Sequence, residues 1–288
     1  MASPVSLSFT DPDPVISTAK LGTTTILTSA LTSPTVSQVI IISSVASVID
    51  TARGPVDGKA FGPADWNDNS PAEVARLGNQ TPGVDIYCAS KVAAEKAFWA
   101  FRDEYNPNWN MTAINPALVS GPPLLLPEDP EKISETVKPV WDILSGRPIP
   151  PPLVSGHMID IRDVARMHVY AANHPEATGG KRIILCSAFA PEQAIADILH
   201  DTYPQRNGQM QKGKPGQGYL PGYGSDPAGK IPRFDTSIAE DLLFGDRGGW
   251  ISYDNTVRDS AKAFEKYLQG LGFLAKGRGH AGDLGLLP

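Results

Sequence analysis

The stretch that most limits the fold of this chain is Val39-Ile40-Ile41-Ile42, followed at once by Ser43-Ser44. A β-branched run without polar alternation describes a strand over residues 38–44 that is buried on both faces. Strands of that kind belong to parallel sheets covered by helices. The segments around it alternate in the same sense. Asp13-Pro14 reads as a helix start, a capping carboxylate before a first-turn proline, and Val15, Ala19, Ile26 and Ala30 give an apolar stripe over 13–32. Further helices are expected over 71–77, 87–105, 129–145, 162–173, 191–201 and 255–268, and strands over 111–114 and 181–187. Asn115-Pro116 closes the first of these strands, because a residue before proline is pushed out of helical space. Residues 204–232 are dense in glycine and proline and read as a long loop on the substrate side. The pattern is α/β with a largely parallel sheet, plus a helical lobe from the 120s onward.

Chemistry is concentrated in Tyr87-Cys88-Ala89-Ser90-Lys91. Tyr87 and Lys91 are four apart, so a helix puts them on one face. A cationic amine beside a phenol favours the phenolate, which is expected to lower the Tyr87 pKa and make it a proton donor or acceptor near neutrality. Ser44, at the end of the strand before this helix, can offer a second hydrogen bond to the same substrate oxygen. A tyrosine and lysine alone would describe an ordinary amphipathic surface; the serine ahead of them marks a site.

Composition removes several classes. The 288 residues are 41% hydrophobic and 19% charged, as in a globular protein of one large or two closely joined domains. A formal charge of -6 argues against nucleic acid or an acidic membrane as partner. Cys88 and Cys186 fit a reducing compartment better than a disulfide framework. No run is long enough to span a bilayer, and no basic, apolar leader opens the chain, so a cytoplasmic protein is expected. His157, His168, His174, His200 and His280 have no metal-ligand spacing, and no metal is expected.

Longer matches carry a resemblance. Ala2-Ser3-Pro4, the run from Val39 to Ala46, Asp65-Trp66-Asn67, and the stretch from Tyr87 to Phe98 come first. The segment from Ile114 to Pro122, Asp160-Ile161-Arg162-Asp163-Val164-Ala165, Gly213-Lys214-Pro215-Gly216 and Thr256-Val257-Arg258-Asp259 follow in order. The set resembles the extended short-chain dehydrogenase/reductase family, in particular its fungal aldehyde and ketone reductases and its plant dihydroflavonol reductase-like members. The resemblance implies a Rossmann-like parallel sheet with a mainly helical C-terminal substrate lobe. It implies Ser44, Tyr87 and Lys91 as the catalytic set, converging at the carboxyl ends of adjacent strands. Ser3, Pro116 and Val119 match positions that line the cofactor in that family. Together with Ser44, Trp66 and Tyr87 they are expected to line the substrate pocket. Asn115 is assigned to holding the loop structure, and Arg162 and Asp163 to a helix cap and an ion pair.

The family's glycine-rich pyrophosphate turn has no counterpart ahead of Ala2, and neither Gly179-Gly180 nor the Gly213 loop has the strand–turn–helix order it requires. The expected architecture is therefore a truncated Rossmann-like domain over 1–120 and a substrate lobe over 121–288, with 155–190 returning a helix and a strand to the sheet. The favoured function on this reading is acid–base chemistry on a carbonyl-containing small molecule such as a secondary metabolite: isomerisation, dehydration or cyclisation without a redox cofactor. The alternative is an NADPH-dependent carbonyl reductase, and a third reading is a decayed reductase that only binds. An apolar strand with an open edge also calls for cover, by a second copy in a homodimer or by residues 1–10 folded back across it. Light scattering at micromolar concentration should then give about twice the chain mass of 30.7 kDa. A monomer whose amides at 39–43 exchange rapidly would contradict both forms of cover.

Overall fold

The computed structural model describes residues 8–49, 60–151, 156–189, 191–216, 219, 232–246 and 248–270. Ser3 and the rest of 1–7 lie outside the described residues, as does most of the proposed fold-back segment. The first helix, α1 (Pro12–Leu31), is capped by Asp11 rather than by Asp13. The Asp11 carboxylate accepts a bond from the Asp13 amide at 3.2 Å, and Pro12 takes the first-turn place where its missing N–H is not needed. The β-branched run forms β1 (Gln38–Ile42), a little shorter than expected because Ser44 leaves the strand to cap a 3-10 turn, Val45–Ser47.

After β2 (Ala60–Phe61) and α2 (Asn69–Leu77) comes α3 (Gly83–Tyr105), which carries Tyr87 and Lys91 and packs along α1. Then β3 (Asn110–Pro116) pairs in parallel with β1, Gln38 opposite Asn110 through Ile42 opposite Ile114. β4 (Leu118–Ser120), α4 (Lys138–Leu144), β5 (His157–Asp160), α5 (Ile161–Asn173), α6 (Pro175–Thr178) and β6 (Arg182–Leu185) follow. The chain continues through β7 (Ala188–Phe189), α7 (Glu192–Thr202), β8 (Arg233–Phe234), α8 (Ser237–Leu243) and α9 (Tyr253–Gly270).

β6 pairs in parallel with β3, so the main sheet runs β1-β3-β6. One side of it meets α1 and α3 through Leu27, Phe98, Trp99, Phe101 and Met111; another cluster joins Ile114 and Ile183 to Val164 and Met167 of α5. Beyond the sheet, Trp141 and Leu144 of α4, Ile198 of α7 and Phe264 and Leu268 of α9 form a separate helical core. The architecture is α/β, a Rossmann-like parallel sheet with many helices. Among the described residues β1 pairs with β3 alone, and its last residue, Ile42, is exposed.

The helix expected over 129–145 is broken in two. Asp129 caps a short turn, Pro130–Lys132, and α4 starts afresh at Lys138 with Pro139 in its first turn. A single helix would have buried Pro139 in its interior, where the ring clashes with the preceding turn and a backbone donor is lost. Gly179 and Gly213 are not phosphate turns but close contacts. A Cβ on Gly179 would meet the Asn110 side-chain oxygen at 2.6 Å, and one on Gly213 would meet the Gln193 carbonyl at 2.2 Å.

Asp160 joins the sheet side to the helical side. Its carboxylate, fully buried, accepts from the Arg162 amide and guanidinium and from the Thr256 hydroxyl of α9 at 2.7 Å. Arg162 also donates to Asp259, and Asp163 receives the Ile251 amide and Arg166, so this acid–arginine set serves the framework. Burial alone would raise the Asp160 pKa, but the bonds from Arg162 and Thr256 outweigh it and hold the carboxyl below its usual value. A depressed carboxyl contributes stability that is complete above the unfolded value, about pH 4, and is lost as pH falls through the folded one. Unfolding midpoints measured in urea should therefore fall on acidification below about pH 4, and less steeply in Asp160→Asn.

Candidate active site

The parallel register decides where the site forms. Ile42 lies opposite Ile114, and the Ser43 amide donates to the Ile114 carbonyl at 2.7 Å. Ser44 and Pro116 thus leave adjacent strands at the same carboxyl-terminal level, where open α/β sheets place their ligands. At this level Ser44 turns. Its hydroxyl accepts from the Ala46 amide at 3.1 Å, while its carbonyl receives the Ser47 hydroxyl at 2.7 Å and the Asn115 side-chain amide at 3.3 Å.

From α3, Tyr87 comes beside the Ser44 hydroxyl, which favours its ionised form, and the Lys91 Nζ lies 5.4 Å from the centre of the Tyr87 ring. The structure therefore brings Ser44, Tyr87 and Lys91 together. Their electrostatics differ from the sequence expectation. Burial, with a smaller contribution from Cys88, pushes the Tyr87 phenol above its ordinary value, and the Ser44 hydroxyl only offsets part of this. Burial also lowers the Lys91 ammonium, which is 6% exposed. Lys91 is not among the groups that shift the phenol, so the phenolate that spacing alone predicted does not form. At neutral pH the Tyr87 hydroxyl keeps its proton.

Pro116 is buried at the end of β3. Val119 lies in β4 opposite Ile159 and packs with Ile114 and Val164, which makes it a wall of the apolar interior. Trp66 is placed differently from a pocket residue. Its indole lies under the Arg182 guanidinium at 3.8 Å and the Lys96 amine at 5.4 Å, against the cluster formed by α1 and α3. The adjacent Asn67 serves the site indirectly: its side-chain amide donates to the carbonyls of Ala46 and Ile49, and its oxygen accepts from Ser70. A separate cleft of about 480 Å³ in the helical lobe is lined by Ile149, Pro191, Gln193, Lys212 and Lys214, and by none of the Ser44, Tyr87 and Lys91 set.

Two buried residues beneath the site carry no sequence prediction of a role in it. Glu95, two helical turns after Tyr87, is fully buried and accepts from the Ser43 hydroxyl, from Ser47 at 2.5 Å, from Asn115 at 2.8 Å and from Arg182 at 2.6 Å. Asn115 is the second, and it does hold the loop as expected. Tyr87, Lys91, Glu95 and Trp99 recur at intervals of four, so a carboxylate inside a stripe that faces the sheet was the available sign.

A match to the NAD dependent epimerase/dehydratase family spans residues 2–186. The chain belongs to that family. Its extended short-chain dehydrogenase/reductase character agrees with the individual relatives. The NADPH-dependent methylglyoxal reductase of Saccharomyces cerevisiae is 33% identical over 186 residues, 64% of this chain and 53% of that protein. A ketoreductase of Aspergillus niger is 29% identical over 218 residues, 71% of this chain and 59% of that protein. The crystal structure of yeast methylglyoxal/isovaleraldehyde reductase complexed with NADPH matches with a TM-score of 0.76 at 28% identity, covering 95% of this chain and 76% of that one. The chain spans about half the length of the curated relatives it matches, 53% for the yeast reductase.

These findings overturn the expectation that no redox cofactor is used. The relatives are reductases; the yeast methylglyoxal reductase is named for NADPH dependence, and the matching yeast crystal structure contains NADPH. Isomerisation, dehydration and cyclisation lose their footing with it. The residues present fit such a cofactor in one respect that the structure shows. Lys91 makes no hydrogen bond or ion pair among the described residues, so a buried ammonium with three donors is left for a hydroxyl-rich group. Among the described residues no group of histidine, cysteine and carboxylate side chains could hold a metal ion, and no helix is long and apolar enough to cross a membrane. Cys88 and Cys186 form no disulfide, and burial pushes the Cys186 thiol up to about 12.

Proposed function

We propose that the chain works as an NADPH-dependent carbonyl reductase acting on an uncharged aldehyde or ketone. The observation that carries this reading is the Tyr87 phenol, kept protonated by burial and set beside the Ser44 hydroxyl and the Lys91 amine at the ends of β1 and β3. A reduction leaves negative charge on the former carbonyl oxygen, and that oxygen needs a proton, not a base. Tyr87 is suited to give it. Ser44, anchored through its carbonyl by Ser47 and Asn115, is suited to hold the same oxygen by a second hydrogen bond. Lys91 would hold the hydroxyls of the cofactor's sugar. When bound, reduced nicotinamide supplies the hydride that adds to the carbonyl carbon. Hydride and the Tyr87 proton together convert C=O to CH–OH, and the phenolate is then reprotonated from solvent.

The family match and the NADPH-named relatives support this assignment over a cofactor-free one. Its test is the loss of NADPH absorbance on adding small aldehydes and ketones. Tyr87→Phe should reduce turnover by ~100- to 10,000-fold, the usual effect of removing a positioned general acid, with the fold intact. Turnover that is undiminished in Tyr87→Phe at saturating substrate would remove Tyr87 from the reaction.

The pH profile has a definite sign. A raised phenol pKa means that the donor form persists through neutrality and is lost only above its ordinary value of 10.0. The rate constant kcat for reduction should be flat across neutral pH and fall at the alkaline end. Lys91→Met should weaken NADPH binding in a calorimetric titration more than it lowers kcat, because it removes a binding contact and not the proton.

A further inference from the structure

We propose that Glu95 is a positioning residue: from the helix that carries Tyr87 and Lys91 it grips the turn that carries Ser44, and so sets the spacing of the Ser44 hydroxyl and the Tyr87 phenol. The connection runs through two short paths. In one, the Ser47 hydroxyl lies within reach of both the Glu95 carboxylate at 2.5 Å and the Ser44 carbonyl at 2.7 Å and shares its one proton between them. In the other, Asn115 donates to Glu95 at 2.8 Å and to the same Ser44 carbonyl at 3.3 Å. Ser43, the residue before, donates to Glu95 directly. Ser43, Ser44 and Ser47 are thus all referred to one carboxylate.

Glu95 is itself immobile. It is fully buried, its other oxygen takes the Arg182 guanidinium at 2.6 Å, and Arg182 is fixed by the Pro63 and Asp65 carbonyls at 2.7 and 2.5 Å. Eight residues of continuous α-helix separate Glu95 from Tyr87, about 12 Å along a rigid axis. Beyond the pair with Arg182, Glu95 takes bonds from the Ser43, Ser47 and Asn115 side chains. Those bonds lead to the one element that must be held against Tyr87.

The test has two arms, and only the kinetic one rests on the reductase reading. In the first arm the protein is isotope-labelled at the tyrosine ring carbon that bears the hydroxyl. The resonance of Tyr87, one of 8 tyrosines, is assigned by its loss in Tyr87→Phe. Ser44→Ala moves it by removing the hydroxyl beside the phenol. Glu95→Gln should move it in the same direction, leaving the other tyrosines in place. Where Glu95→Gln does not fold with Arg182 left buried, Ser47→Ala cuts one of the two paths without stranding a charge and should give a smaller shift of the same sign.

In the second arm Glu95→Gln should lower kcat by up to about 100-fold, as expected for misplacement near one ångström, with little change in KM. In a Ser44→Ala background it should add less than about twofold, because residues acting as a unit are not additive. A Tyr87 resonance unmoved in folded Glu95→Gln or Ser47→Ala protein overturns the proposal. So does a shift spread over all tyrosines, or a full kinetic loss in the Ser44→Ala background, since either describes a general structural lesion. A parent protein that shows the Tyr87 shift but reduces no carbonyl removes the reductase reading and leaves the positioning role in place.

Discussion

A carboxylate cut off from water has to be neutralised by what surrounds it, because an unpaired buried charge costs several kcal/mol even after relaxation. Glu95 meets that demand with donors from every strand of the main sheet: Ser43 just beyond β1, Asn115 in β3 and Arg182 in β6. Removing any one strand from its place would leave part of the charge uncompensated. The relative setting of the three strands is therefore tied to a single point on α3. Trp66 closes the arrangement by stacking on the Arg182 guanidinium. It packs at the same time against the cluster of α1 and α3.

The same desolvation that makes Glu95 demanding acts on Tyr87 and Lys91 with opposite results. Burial disfavours the charged form of each, raising the phenol and lowering the ammonium. Spacing alone pointed to a lysine that ionises its tyrosine. In the structure burial outweighs everything that favours the phenolate: among the described residues Ser44 lowers the phenol and Lys91 does not shift it. A neutral phenol backed by a serine is a proton donor, and the direction of the proposed reaction follows from that state.

Much of this was legible in the sequence where the signal was local. The β-branched run gave β1, the spacing of Tyr87 and Lys91 gave their shared face, and the Ser43-Ser44 end gave the strand terminus, since each depends on residues within a turn or two. What failed depended on distance or on one competing rule. Glu95 looks like any helical glutamate until Arg182, 87 positions later, is brought beside it. The helix over 129–145 was lost to Pro139, and the cap of α1 moved to Asp11 because Pro12 prefers the first helical position. The cofactor was misjudged for a different reason. The missing phosphate-binding turn weighed against a cofactor, whereas the relatives, one of them NADPH-dependent by name and one solved with NADPH, weigh for it.

The placement of the two functions on one helix has a physical consequence. Ser44 belongs to a turn, and turns move more readily than the strands they leave. If that turn were anchored only to its own strand, small rotations of β1 against α3 would change the distance between the two hydroxyls that must share one oxygen. Anchoring it to Glu95 transfers the reference from the strand to the helix that carries Tyr87. Motion of α3 then moves donor and partner together, and their spacing survives displacements that would otherwise change it. Asn67 braces the other side of the turn through the Ala46 and Ile49 carbonyls, and Ser70 links that brace to Asp85 in the first turn of α3 at 3.0 Å. Both braces of the Ser44 turn thus end on the helix that carries Tyr87.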